Sequence, residues 1–423
     1  MRIREQAHWL ATIQIALPLA LALSATASEK DDPSTALAAF ALRIERSEQA
    51  LRKSPAYGSE AEQALAYLHL SRAIIRALEA EVLQDADFPY FRILDFWLRE
   101  GGDNPDQRYA FSPIRGGEAY RIWGRLGSAR RVEIQLYAGE PWAGTGRSAG
   151  YLAFEDIEIA GDGSFSVMLG TERGVGDHRS WLRNPLEATT VFVRHIYDDW
   201  NEALPGEAHI DRVGLTGARM PLPTPADLAR RLHAAAEMLE KSATVWPNFV
   251  QKRYVKAGPT NSVSKLIDTY ALGGAKGRWM AGGHFVLAPG KAVLIKTPAT
   301  RAQYQAIQLA DMWFNSLEHA NQISSLTTRQ SVRAADDVYY TVISNEDPGH
   351  ANWLDAGGLE RGVFLLRYDG VLGEIPEAQH PSARLVDLDA LEGLIPDFTR
   401  VSENERQRTR AARRQHLQRR SGR

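Results

Sequence analysis

The chain has 423 residues, 44% of them hydrophobic and 24% charged, with a formal net charge of −2. That is length for two or three domains and apolar content enough to fold without a metal or disulfide staple. There is no cysteine, which excludes thiolate nucleophiles, Fe–S clusters, thiolate-held zinc and disulfides, and the near-neutral charge argues against a dedicated nucleic-acid binder.

Arg2 and Arg4 precede an apolar stretch over residues 10–23, followed by Ala25-Thr26-Ala27. This order of charged, apolar and small residues predicts a cleavable signal peptide over 1–27 and a periplasmic or secreted mature protein. An uncleaved anchor is the alternative, but Gln14 and Pro18 interrupt a run already short of the roughly 20 residues of a bilayer span.

Residues 28–100 read as a helical segment, with helices over 36–51 and 60–83 broken at Pro55 and Gly58. From 101 the period changes to two. Tyr120-Arg-Ile-Trp-Gly-Arg and Arg131-Val-Glu-Ile-Gln-Leu-Tyr alternate apolar and polar, as half-buried strands do, and with runs at 164–169 and 189–196 they predict a first β module over 101–220. In the connecting helical segment 221–265, Thr224 is set to cap a helix, with Pro225 and Asp227 at its first and third positions and Pro247 ending it near Val245. Strand signals return at 285–287, 292–296, 304–309, 338–344 and 362–368, giving a second module over 266–385. The basic tail, 386–423, carries nine arginines from Arg400 onward against Glu403 and Glu405. It reads as a solvated, partly helical or disordered end, with weak contact to anionic lipid as the sharper alternative.

The modules look like copies. At an offset of about 173, Ile122, Ile134, Gln135 and Leu136 align with Ile295, Ile307, Gln308 and Leu309. Small gaps align Val167 with Val342, Val191 with Val363, and His178 and Trp181 with His350 and Trp353. The expected fold class is therefore α+β, mainly β, with two tandem antiparallel β-sandwich or jelly-roll-like modules, each preceded by helices.

The segment richest in chemistry is Asp347-Pro-Gly-His-Ala-Asn-Trp-Leu-Asp-Ala-Gly-Gly358, a loop between two strands bounded by turn signals. His350 can act as general base with Asp347 or Asp355 orienting it, Asn352 can donate to an oxyanion, and Trp353 can stack on a sugar or flat apolar ring. The competing structural reading has Trp353 filling the core and His350 and Asp355 tying the loop to backbone. Trp313, Asn315 and Glu318 can line a cleft with Trp353, although Trp313 and Leu317 also suit a core-facing helical turn. Asp103 and Asp106 are paired carboxylates or a plain turn, and His284 reads as structural. No metal-ligand spacing, nucleophile elbow or phosphate loop is present, so neither metal nor cofactor is expected.

The same loop, together with Tyr304-Gln-Ala-Ile-Gln-Leu-Ala-Asp-Met-Trp-Phe-Asn-Ser-Leu-Glu318, resembles the bacterial domain-of-unknown-function family 1214, and Asp103-Asn-Pro-Asp106 and Tyr120-Arg-Ile-Trp-Gly124 resemble the first module of its longer members. Glu318 stands where that family has Asp, and Ala351 where it has Pro. The resemblance implies a β-sandwich of jelly-roll character and no established reaction. The expected function is binding or processing of a small, partly apolar or carbohydrate-like ligand in a cleft of the second module. As a metal-independent hydrolase or lyase the chain would use His350, Asp355, Asp347 and Glu318. As a binder it would use Trp313, Asn315, Asn352, Trp353 and Tyr304. A structural envelope protein is the third reading.

Overall fold

The computed structural model describes residues 32–94, 96–140, 144–174, 180–201, 204–272 and 274–421. The signal-peptide segment and His178 lie outside the described residues. Helix α1 (Pro33–Arg52) is capped by Asp32, whose carboxylate accepts from the Thr35 amide, and α2 (Glu60–Leu78) opens on a Ser59/Glu62 capping box. Helix α3 (Pro225–Val250) opens at Thr224, as the spacing predicts, and Asp227 returns a reciprocal bond to the cap. It does not end near Val245: it runs past Pro247 to Val250 and continues as a single π turn, Gln251–Val255. Proline has no N–H to give the carbonyl four residues back, and here the His69 Nε2–H donates to that Ala243 carbonyl instead, at 3.0 Å. The three helices bury Phe40, Leu70, Leu239 and Val250 against Met312, Trp313, Val363 and Leu365 of the second module.

The first module's strands are β1 (Arg92–Leu94), β2 (Gln107–Pro113), β3 (Tyr120–Arg125), β4 (Arg131–Ala138), β5 (Arg147–Leu152), β6 (Ser164–Gly170), β7 (Ser180–Arg183), β8 (Thr190–Ile196) and β9 (Glu207–Arg212). The second module's are β10 (Ile267–Asp268), β11 (Trp279–Val286), β12 (Lys291–Pro298), β13 (Tyr304–Ala310), β14 (Ser325–Thr327), β15 (Val338–Ser344), β16 (Trp353–Asp355), β17 (Arg361–Asp369) and β18 (Ser382–Asp387). The sheet orders are β1-β2-β8-β4-β5 and β7-β6-β3-β9, then β10-β11-β17-β13-β14 and β16-β15-β12-β18. Strand for strand the second pair repeats the first, so the duplication is in the topology itself. Pairing is antiparallel except for β6 with β7 and β15 with β16, which are parallel.

The ladders also correct the alignment. Ile122 faces Val167 and Ile295 faces Thr341, so Val167 answers to Thr341 rather than Val342. Ile134 faces Val193 and Ile307 faces Leu366, so Val191 answers to Phe364 rather than Val363. With these shifts Trp181, opposite Met168, and Trp353, opposite Val342, are equivalent, as the sequence aligns them.

Each sandwich has its own apolar core, around Val132, Ile134, Val167 and Val193 in one and Val293, Ile307, Phe364 and Leu366 in the other. The two five-stranded sheets face each other. This changes the reading of the alternating strands. In β3 buried and exposed residues alternate as expected, whereas all eight residues of β4 are buried, because Arg131, Glu133 and Gln135 point at the second module instead of water.

The Arg-rich end is likewise not a solvated tail. Residues 388–398, including the short helix α4 (Leu391–Leu394), cover the four-stranded sheet of the second module. Helix α5 (Glu403–Arg420) then straps both modules, with Arg406, Arg413 and Arg420 buried at seven-residue spacing along one face. Arg406 pairs with Asp347 and donates to the His350 and Ala351 carbonyls. Arg413 donates to the His319 and Ser325 carbonyls, and Arg420 to that of Pro105 in the first module. A guanidinium's five donors make it suited to capping loop carbonyls in this way.

Candidate functional site

The loop 347–358 is a packing station for α5. His350 is 2% exposed. Its Nε2–H donates to the Tyr340 carbonyl at 3.1 Å, its ring lies 4.8 Å from Phe398, and burial holds its pKa below the ordinary histidine value. Asp347 is spent on Arg406 and the Gly349 amide, and Asp355 accepts from the Gly357 amide, burial raising its pKa. Asn352 bonds the backbone N–H and carbonyl of Val332, and Trp353 donates to Ser344 beneath the Arg406 guanidinium. His350 and the two aspartates are thus near one another but tied to backbone or to α5.

The other candidates lie elsewhere. Trp313 is fully buried, donates from Nε1 to the Glu62 carbonyl and stacks on His69. Asn315 bonds Asp311, which also accepts from the Trp313 and Asn315 amides and whose pKa burial raises to about 6. Glu318 accepts from the Ala320 and Asn321 amides. Tyr304 donates to Asp106 at 2.6 Å across the module interface, and Asp103 accepts from Ser316. His284 is held by Thr260 and the Tyr254 carbonyl. The structure does not gather Trp313, Asn315, Trp353 and Tyr304 into one cleft.

A cavity of about 550 Å³ lies instead between the modules, where the facing sheets meet the end of α3. Its apolar wall is Tyr109, Tyr137, Phe192, Trp246, Phe249 and Phe314. Phe314 is held at φ +65°, a left-handed conformation rare for a bulky side chain. Its carbonyl accepts from the Gly102 amide at 2.6 Å, and a Cβ on Gly102 would lie 2.5 Å from its ring, so only glycine allows this approach.

Four arginines line this cavity, Arg253 from the π turn after α3 and Arg194, Arg278 and Arg367 from the facing sheets. Arg278 is neutralised by Asp369, at 2.5 and 2.8 Å, and by Glu133 at 3.3 Å. Among the described residues Arg194 has only neutral hydrogen-bond acceptors, Gln135 and the Tyr137 hydroxyl, both at 2.9 Å, with its guanidinium 5.1 Å from the Phe192 ring. Arg367 is likewise bonded to Gln308 and to the Gly102 carbonyl. Glu133 pairs with Arg194 in one ladder and Ala306 with Arg367 in the other, so the two Arg–Gln pairs are the same pair, duplicated. Burial raises the pKa of the Tyr109 phenol, and Arg367, Arg194 and Arg278 all pull against that rise.

Sequence reading missed this site, yet it left a trace. Gln135 and Gln308 already align, and Arg194 and Arg367 each close an apolar run, Val191-Phe-Val and Val363-Phe-Leu-Leu. A charge at the end of a buried run in both copies is the signal.

No family model matches the chain, and no curated protein matches it. Among solved structures, an uncharacterised protein from Burkholderia cenocepacia has a TM-score of 0.77 and 24% identity over 84% of this chain and 98% of that one. That likeness shows the fold. A protein from Vibrio parahaemolyticus, at TM-score 0.45 and 11% identity over 76% of this chain and 98% of that one, is more distant. Oxalate decarboxylase from Bacillus subtilis, at TM-score 0.16 and 12% identity over 74% of this chain and 79% of its own, is too remote to carry an argument.

Proposed function

We propose that the chain binds a small organic monoanion with a flat or apolar body in the cavity between its modules. The observation that carries this reading is the pair Arg194 and Arg367: buried, duplicated, and bonded only to neutral acceptors among the described residues. Buried charges are ordinarily paired. The cavity lining carries Arg194, Arg253, Arg278 and Arg367 against Asp103, with Glu133 and Asp369 paired to Arg278. Four cations against three anions leave room for one more negative charge, and the aromatic wall supplies burial for a ring or chain. The cavity's size is that of an ordinary small-molecule site. Export to the periplasm belongs to the same proposal, on the strength of residues 1–27.

The test is calorimetric titration with 2-naphthoate and its neutral isostere 2-naphthamide. The carboxylate is expected to bind about tenfold or more tightly than the amide, since a charge-assisted bond contributes about 1.5–3 kcal/mol. Arg194→Gln should erase that preference. Equal affinity for acid and amide, or no binding of either, would overturn the reading.

A further inference from the structure

A second surface answers to different chemistry and is independent of the cavity. In the four-stranded sheet of the first module, β3 is an interior strand between β6 and β9, and its outward residues are Arg121, Trp123 and Arg125. Trp123 is 38% exposed, so part of the indole is open to solvent. The ring is locked where it stands. It stacks on His209 at 4.2 Å with an interplanar angle of 27°, and its Nε1–H donates to Asp211 at 2.8 Å. A ring fixed before binding loses little side-chain entropy when something lies on it.

Beside this ring is a surface groove of about 460 Å³, flanked by Arg125, Glu158, Asp162, Ser164 and Glu207. The second module shows what the scaffold does with this face when it serves only stability. There the equivalent sheet presents Ala292, Leu294, Tyr340 and Val342, and the chain's own Leu391 and Ile395 lie over it. Through the ladders Leu294 answers to Arg121 and Tyr340 to Ser166. In the first module no segment of the described chain closes the face, and the residues there are polar around one aromatic.

We propose that this face binds a neutral oligosaccharide, with Trp123 as the platform for one sugar ring. A pyranose has an apolar C–H face to lay on an indole and a rim of hydroxyls, each both donor and acceptor. The groove offers the matching mixture, guanidinium donors beside carboxylate and hydroxyl acceptors. An acidic glycan would meet Glu158, Asp162 and Glu207, and a simple cation would meet the two arginines, so an uncharged chain fits best.

The experiment titrates the full mature chain with cellohexaose, with chitohexaose and with the acidic trigalacturonate, following saturation-transfer NMR of the sugar and calorimetry. One or both neutral hexasaccharides should bind more tightly than the acidic one. Trp123→Ala should weaken that binding about tenfold or more, Trp123→Tyr should restore most of it, and 2-naphthoate titration of both variants should match wild type. Absence of neutral-sugar binding, preference for the acidic sugar, equal binding by Trp123→Ala, or a dimer in sedimentation that Trp123→Ala dissolves would each overturn the proposal.

Discussion

The two modules share strand order and ladder register, yet their four-stranded sheets meet opposite surroundings. In the second, Leu294 and Val342 lie beneath Leu391 and Ile395 and are as buried as any core residue. In the first, the matching positions hold Arg121 and Met168. The inward positions barely differ: Ile122 and Ile295, Ile134 and Ile307, Trp181 and Trp353. Sandwich geometry dictates what points inward, and the neighbour on the other side dictates what points out. The facing five-stranded sheets make the same point in reverse, since their outward residues, Glu133, Gln135, Arg194 and Arg367, are polar in sequence and buried in fact.

Leu294 is the position at which the two modules can least exchange residues. Leu294→Arg places on the second module the residue that its twin tolerates in water, but here under the apolar cover of Leu391 and Ile395. Burying an uncompensated charge and losing the leucine's packing together should cost more than about 4 kcal/mol. The expected outcome in urea unfolding is a chain near the limit of stability, with residues 388–398 newly open to protease. A variant as stable as wild type would mean that the cover is not seated on the sheet.

Trp353 and Trp181 sharpen the comparison from within. They occupy one ladder position, but Trp353 is buried with its Nε1–H on Ser344 and Arg406 over its face, while Trp181 is only half buried. Trp353→Ala should cost roughly 3–5 kcal/mol from lost burial and cavity formation, and Trp181→Ala clearly less. In the same loop His350→Ala leaves the Tyr340 carbonyl without its donor, at about 1–3 kcal/mol. Thermal melts of the three variants rank them. A negligible loss at His350 would return it to candidacy as a reacting group.

Much of the fold was legible because it depends on periodicity and capping, which are local. Thr224 with Asp227, the alternation in β3 and the repeat of Ile122 and Ile134 in the second half all stand as read. What failed depended on neighbours far along the chain. Pro247 looks like a stop until His69 supplies the missing donor. Arg131 to Tyr137 looks half-exposed until a second module covers it. Arg406, Arg413 and Arg420 look like a solvated charge run until their carbonyl partners are in place. The site was obscured for the same reason: His350 and Trp353 carry conspicuous chemistry in a conspicuous loop, whereas Arg194 and Arg367 come together only when two sheets meet. The duplicated arginine after an apolar run was the one local sign of it.

The smallest expected effect is the most discriminating for the open sheet. Arg121→Leu gives the first module the residue that its twin uses under a cover. Arg121 is exposed, its bond to Ser166 is 3.2 Å and solvent-facing, and its guanidinium lies 5.9 Å from the Trp123 ring. An exposed bond of this kind and a distant cation–π contact contribute little, and leucine keeps the strand's stem packing, so stability should stay within about 0.5 kcal/mol of wild type. Urea unfolding at two ionic strengths checks this, because the value should not depend on salt if no ion pair is lost. A loss well above that margin would mean that Arg121 is holding something against the sheet, and the first module would then be covered after all, by a neighbour that its twin does not have.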